Sequence, residues 1–155
     1  MFLVLLGKVA IMPKKIARIK IALNGIVPQI YRRVEVPMEF SLRDFHFTIQ
    51  DAMPWKCSHL YEFEIGGRCF GGPYPLYVPD GFGKFDAASK NLASLIESKG
   101  DRFLYTYDFG DNWQHRIIVE MILDPDPKAT YPKLIGGKRR APPDDVGGIW
   151  GYEEY

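Results

Sequence analysis

Hydrophobic and polar residues alternate through ARIKIAL, placing Ala17, Ile19, Ile21 and Leu23 on one side and Arg18, Lys20 and Ala22 on the other. A period of two predicts a strand with one buried face. Asn24-Gly25 supplies a turn, and PQIYRRVEV alternates again, with Ile30, Val34 and Val36 on one face, until Pro37 closes it. Arg32 shares that apolar face, so it must lie near the strand end or find a partner. The period then changes. Ser41 and Asp44 read as a helix-capping pair, Leu42, Phe45, Ile49, Ala52 and Met53 recur at helical spacing with His46 beside their stripe, and Pro54 stops a helix of about three turns. CSHLYEFEI returns to alternation, with Cys57, His59, Tyr61, Phe63 and Ile65 on one face, and Gly66-Gly67 signals a hairpin.

Residues 71–85 are crowded with glycine and proline, which predicts a long irregular loop able to cover a groove. Asp86 is placed to cap a second helix, with Ala88, Leu92, Leu95 and Ile96 as its apolar stripe and Gly100 as its exit. RFLYTYD and WQHRIIVEMIL follow as two strands joined by FGDN, and the last thirty or so residues show no clear period. The order β-β-α-β-β-α-β-β predicts a single α+β domain, an antiparallel or mixed sheet with two main helices on one side. The three hairpins should share one core.

Composition narrows the class. A chain of 155 residues with 25% charged residues is a globular domain, able to bury roughly 70% of its unfolded surface. Two cysteines without paired metal spacing are too few for a disulfide framework and indicate a reducing, cytoplasmic setting. The apolar start MFLVLL lacks a preceding positive charge, is interrupted by Lys8, and is too short to span a bilayer, so neither a secretion signal nor a membrane partner is expected. Met12 stands just before the first strand pattern. Residues 1–15 therefore read as an extension, either non-native or disordered, and 16–155 as the domain.

Net charge is only +1, yet residues 1–33 carry Lys8, Lys14, Lys15, Arg18, Lys20, Arg32 and Arg33 with no acid at all. That asymmetry marks Lys14, Lys15, Arg18, Lys20, Arg32 and Arg33 as candidates for a DNA-facing edge. The plainer reading is a strand edge charged against aggregation.

The candidate chemistry sits in YTYDFGDNWQH, 105–115. As a turn, Gly110 would supply a positive φ while Asp108, Asp111 and Asn112 satisfy loop amides. As a site, Asp108, Asp111 and His115 at spacing D-x2-D-x3-H would converge on a divalent metal such as Mn, Zn or Fe. His59, Asp144 or Asp145 would complete the set if the carboxy-terminal loop folds back. Cys57 and His59 do not make a nucleophile and base, since residues two apart on a strand stand about 7 Å apart. No phosphate loop, nucleophile elbow or dinucleotide fingerprint is present. Most of the 22 aromatic residues must be core, leaving those near the 71–85 loop and the GGIWGY tail, Trp150 among them, as contacts.

Taken together, IYRRVEVP, IQDAMPWKCSHLYEFEI, YTYDFGDNWQH and APPDDVGGIWGYEEY resemble the plasmid pRiA4b open-reading-frame-three-like family, found on plasmids and transposons and often labelled TnpR or resolvase-like. The resemblance runs from Ile16 to Tyr155 and implies a roll-like α+β domain. It also implies two departures. Leu134, Ala141 and Val146 stand where many relatives have cysteines, so a thiolate metal is ruled out there and packing must pin the loop. Asp144 stands where a glutamate is usual. Relatives usually continue into a helical tail beyond Tyr155. A serine recombinase needs an amino-terminal nucleophile, and the first serine here, Ser41, is at a helix cap.

These readings lead first to an accessory binding domain, without catalysis. Asp108, Asp111, Trp113, His115, His59, Asp144, Asp145 and Trp150 would line one polar and aromatic groove for a protein or small ligand. A metal-dependent enzyme acting on phosphodiesters, with Asp108, Asp111 and His115 as ligands, is the alternative. Nucleic-acid binding through the basic hairpin is the third.

Overall fold

The computed structural model describes residues 4–6 and 9–155. Part of the expected extension lies outside the described residues. Within it, β1 (Val4–Leu6) pairs antiparallel with β2 (Val9–Ile11) as a small separate sheet.

The alternating segments form strands, CSHLYEFEI only from Tyr61 onward. They are β3 (Ile16–Leu23), β4 (Tyr31–Pro37), β5 (Tyr61–Ile65), β6 (Arg68–Gly72), β8 (Arg102–Tyr107) and β9 (Trp113–Leu123), joined by short edge strands β7 (Lys84–Asp86) and β10 (Lys133–Lys138). One eight-stranded sheet results, in the order β10-β4-β3-β9-β8-β5-β6-β7. Its pairings are antiparallel except β6 with β7, which is parallel. The opening, closing and central hairpins thus lie side by side. Gly66 and Gly67 both have positive φ, as a two-residue hairpin turn matched to strand twist requires.

Register puts apolar residues opposite one another on a single face. Ile19 stands between Val34 and Val119, and Phe63 opposite Phe70 and Tyr105. Helix α1 (Leu42–Ala52) covers this face. Ser41 Oγ accepts from Asp44 N and Asp44 Oδ2 accepts from Ser41 N, both at 3.0 Å, which satisfies two otherwise orphaned amides. Leu42, Phe45 and Ile49 are fully buried, and Phe45 stacks 5.7 Å from Phe63 and meets Phe103 edge-on at 6.3 Å. The opposite face carries paired charges, Arg18 with Glu35 and Arg33 with Glu120. Arg32, on the apolar face, donates to the carbonyls of Ala52, Tyr31, Lys138 and Arg139 at the sheet edge, the partnering its position demanded. No helix among the described residues is long and apolar enough to cross a membrane.

The α+β class holds, but the second helix is elsewhere. Residues 86–100 form two short 3-10 turns, Ala87–Ser89 and Leu92–Ser94, separated by extended Lys90. Backbone groups needed for an α-helix are committed to the chain before α1: Leu92 N bonds Phe40 O, Ala93 N bonds Met38 O, and Lys90 O accepts from Leu42 N. Helix α2 (Gly148–Glu154) lies instead in the carboxy-terminal stretch that showed no period. There too lies β10, which pairs with β4 through a register shift between Leu134 and Gly136.

Two histidines are interior. His115 is fully buried and His46 nearly so, and burial lowers their pKa values to about 4 and about 3 from 6.5. His46, read as lying beside the apolar stripe, is therefore part of the buried face. Both are neutral in the folded protein and take up protons on unfolding in mild acid. Their contribution to stability is complete above about pH 6.5 and is lost as pH falls toward the folded values. For His115 this amounts to about 3 kcal/mol between pH 6.5 and 4. Urea unfolding of His115→Leu should show a shallower loss of stability over that interval than the parent protein. Phe45→Ala removes the ring that joins α1 to the sheet and should cost about 3–5 kcal/mol, read as a lower urea midpoint at unchanged m-value.

Candidate functional site

The β8–β9 turn is built from side chain to backbone. Asp108, at φ +59°, hydrogen-bonds its amide to Leu60 O, and its Oδ1 accepts from Gly110 N at 3.1 Å and Asp111 N at 3.3 Å. The positive φ expected at Gly110 falls instead on Asp108 and Asn112, residue types that tolerate the left-handed region through such local bonds. With Oδ1 committed to the turn, Oδ2 of Asp108 is left toward His59.

The carboxy-terminal loop meets this turn. Gly147 N donates to Asp111 Oδ2 at 3.1 Å. Gly148, at φ +69°, lies so close that a Cβ there would be 2.6 Å from Asp111 O, so only glycine lets α2 dock on the turn. Asp144 Oδ2 accepts from Lys56 N at 2.8 Å and lies 3.4 Å from the Tyr107 hydroxyl, which itself accepts from Ser58 N. Burial pushes the Tyr107 phenol up to about 12, so it keeps its proton and can donate to Asp144. Beneath them Trp55 stacks on Tyr107 at 5.1 Å and on Trp113 at 6.2 Å, and its Nε1 donates to Pro142 O at 2.9 Å.

One imidazole and two carboxyl groups converge beside the turn. His59 Nε2 lies 2.6 Å from Asp145 Oδ1 and 3.5 Å from Asp108 Oδ2. Among the described residues, His59, Asp108 and Asp145 form the group whose ligand atoms, all within 4.8 Å of one another, could hold a metal ion. His59 Nε2 is shielded from solvent and, despite its short contact, has no partner in hydrogen-bond geometry.

Of the expected ligands Asp108, Asp111 and His115, this group retains Asp108. Asp111 Oδ2 is taken by Gly147. His115 points into the interior, with Nδ1 3.1 Å from Tyr105 O and its ring edge-on to Trp55. Strand alternation put it on the core face, where burial rather than metal chemistry governs it. Trp113 is likewise core, 1% exposed, while Trp150 is 80% exposed. His59 and Asp145, named as groups that would complete the set, lie beside Asp108, and His59 precedes β5 instead of lying on it. The chain there leaves the ladder: Cys57 has φ +56°, and the 56–58 amides bond side chains. Cys57 is exposed, and its thiol is pushed up by burial of the sulfur and then by Asp51 and Asp144.

Sequence reasoning missed a network under α1, from the Cys57 amide through Gln50 to Tyr105 and His46. Its signal was the polar pair His46 and Gln50, four apart on a buried helix face. The basic candidates are largely engaged. Lys15 pairs with Asp124, Arg18 with Glu35 and Arg33 with Glu120, Arg32 serves backbone carbonyls, and Lys20 lies 4.6 Å over the Tyr31 ring. Lys14 is tied through its backbone amide to Glu39. The result is a surface of mixed sign.

Comparison with known proteins agrees with this architecture. The chain is 39% identical over 145 residues to the uncharacterized protein y4hQ of Sinorhizobium fredii (strain NBRC 101917 / NGR234), covering 93% of this chain and 73% of that one. It is also similar to the crystal structure of MM3350, a protein of unknown function from Methanosarcina mazei Go1, with TM-score 0.83 and 38% identity over 92% of this chain and 80% of that one. Residues 15–155 match the family model described as plasmid pRiA4b ORF-3-like protein, and the chain belongs to that family.

Proposed function

We propose that this family member is an accessory binding domain whose ligand is held at the groove between the 108–112 turn, His59 and the 144–150 segment. A divalent transition metal, carried by His59 Nε2, Asp108 Oδ2 and Asp145 Oδ1, forms the centre of that groove. The observation that carries the reading is the convergence of one imidazole nitrogen and two carboxylate oxygens within 4.8 Å, the nitrogen without a hydrogen-bond partner. Imidazole with carboxylate suits zinc or manganese. Two donors on a tetrahedral zinc at bonds of about 2.0–2.2 Å stand roughly 3.4 Å apart. The His59–Asp108 separation of 3.5 Å already fits, and the 2.6 Å His59–Asp145 contact would open as an ion enters. Asp145, 66% exposed at a loop tip, is free to make that adjustment.

Three protein donors leave a coordination position for an oxygen or nitrogen of the ligand. The supporting shell is rigid: Asp108 is fixed through its own turn, and the loop bearing Asp145 is tied at Pro142, Asp144 and Gly147. Rigid second contacts of this kind raise metal affinity by holding ligands in place before the ion arrives.

Zinc or manganese at a hundredfold excess over its dissociation constant should stabilise the protein by about 2.7 kcal/mol, measured as a rise in Tm. Asp108→Asn and His59→Gln should abolish that rise. Asp111→Asn, which alters a loop tie and not a ligand, should lower Tm yet keep the metal response. A protein that retains no ion on purification and gains no stability from either metal would exclude a metal-centred groove.

A further inference from the structure

A second cavity, of about 240 Å³, opens between α1, the start of β5 and the loop after β6, lined by Arg43, His46, Phe47, Tyr61, Tyr74 and Asp86 among others. It shares none of the metal group. Its floor is His46, stacked flat on Tyr61 at 3.5 Å with 5° between the rings.

The proton on His46 can be assigned from its neighbours. The Cys57 amide is a donor, so the Gln50 atom it meets at 2.9 Å is the amide oxygen, which leaves Gln50 Nε2 to donate to the Tyr105 hydroxyl at 3.1 Å. Tyr105 is fully buried, and its own hydroxyl proton has one acceptor within reach, His46 Nδ1 at 2.7 Å. Leaving that proton unmatched would cost about 1–3 kcal/mol. The imidazole is neutral, held there by burial with a pKa of about 3. Nδ1 therefore accepts and Nε2 carries the hydrogen, a donor without a hydrogen-bond partner among the described residues, on a side chain that lines the cavity.

Around that donor the walls carry opposite charges. The Arg43 guanidinium rests 5.5 Å over the Phe47 ring and joins none of the ion pairs among the described residues. Asp86 uses Oδ1 to cap Ala88 N at 2.8 Å, with Oδ2 remaining. Both line the cavity beside the Tyr61 phenol, whose pKa is raised chiefly by burial, with Arg43 opposing and Asp86 adding. Phe47 and Tyr74, 41% and 68% exposed, present uncovered aromatic surface beside it. The volume falls below the roughly 300–1,000 Å³ of sites for drug-sized molecules, which limits the occupant to a small metabolite.

We propose that this cavity binds a small zwitterion, a free α-amino acid with a flat side chain. Its carboxylate meets Arg43 and the His46 Nε2 hydrogen, its ammonium meets Asp86, and its ring lies against Phe47 and Tyr74. A simple anion would leave Asp86 facing like charge, and a simple cation would leave Arg43 and the His46 donor unused.

Long-range nitrogen–proton NMR of the full chain tests both halves. The His46 ring should appear as the neutral tautomer protonated at Nε2, and Tyr105→Phe should change that signature. Titration with L-phenylalanine at millimolar concentrations should shift the His46 signals to saturation. Benzoate and phenethylamine, each with one of the two charges, should bind at least tenfold more weakly. Arg43→Gln and Asp86→Asn, the latter retaining a capping side chain, should each weaken phenylalanine at least tenfold while leaving the fold unchanged by circular dichroism. A proton on Nδ1, no saturable shift with phenylalanine, or benzoate binding as tightly as phenylalanine would each overturn the proposal.

Discussion

The indole N–H of Trp55 must find an acceptor in an apolar interior, and the arrangement of the site depends on how it does so. Trp55 is 6% exposed and stacked against Tyr107 and Trp113, so an unpaired N–H there would carry a full desolvation penalty. The carbonyl of Pro142 meets it. That one bond draws the Ala141–Asp145 segment across the end of the sheet, and Asp144 and Asp145 follow as a geometric consequence. Ala141 is buried in the core cluster and Val146 packs on it, so the loop is secured by side-chain packing and by the carbonyl-to-indole bond.

What was legible in the sequence was whatever one element determines alone. The alternation of β3, β8 and β9 and the Ser41–Asp44 cap are decided by residues within a few positions of each other, and they form as read. The 86–100 segment failed because its amides serve residues 38–42, a long-range demand that no local period reveals. β10 failed for the opposite reason: KLIGGK has little strand character of its own and is ordered by the open edge of β4.

The site followed the same division. D-x2-D-x3-H put carboxylates and an imidazole close in sequence, but a strand sends alternate side chains to opposite faces, and His115 goes with Trp113 into the core. The imidazole that joins Asp108 comes from another segment, His59, and the second carboxylate from a third, Asp145. The meeting of turn and terminal loop rests on Val146, Ile149 and Tyr152 packing against the core and on Gly147 N reaching Asp111. Which of Asp144 and Asp145 faces out depends on Lys56 and Tyr107 having claimed Asp144.

The segment Lys56–His59 is where these demands are reconciled. Lys56 N bonds Asp144, Cys57 N bonds Gln50, and Ser58 N bonds Tyr107, so three consecutive amides are held by side chains from the terminal loop, α1 and β8. This is why the strand pattern of CSHLYEFEI breaks before Tyr61: the backbone donors that a ladder would use are already satisfied. Tyr105 and Tyr107, two apart on β8 and so on one face, each accept one donor and present one proton. Tyr105 directs its proton to His46, and Tyr107 directs its own to Asp144. A single strand thereby orients both His46 and Asp144, and displacing His59 requires breaking the hydrogen bonds by which three neighbouring amides are anchored to separate elements.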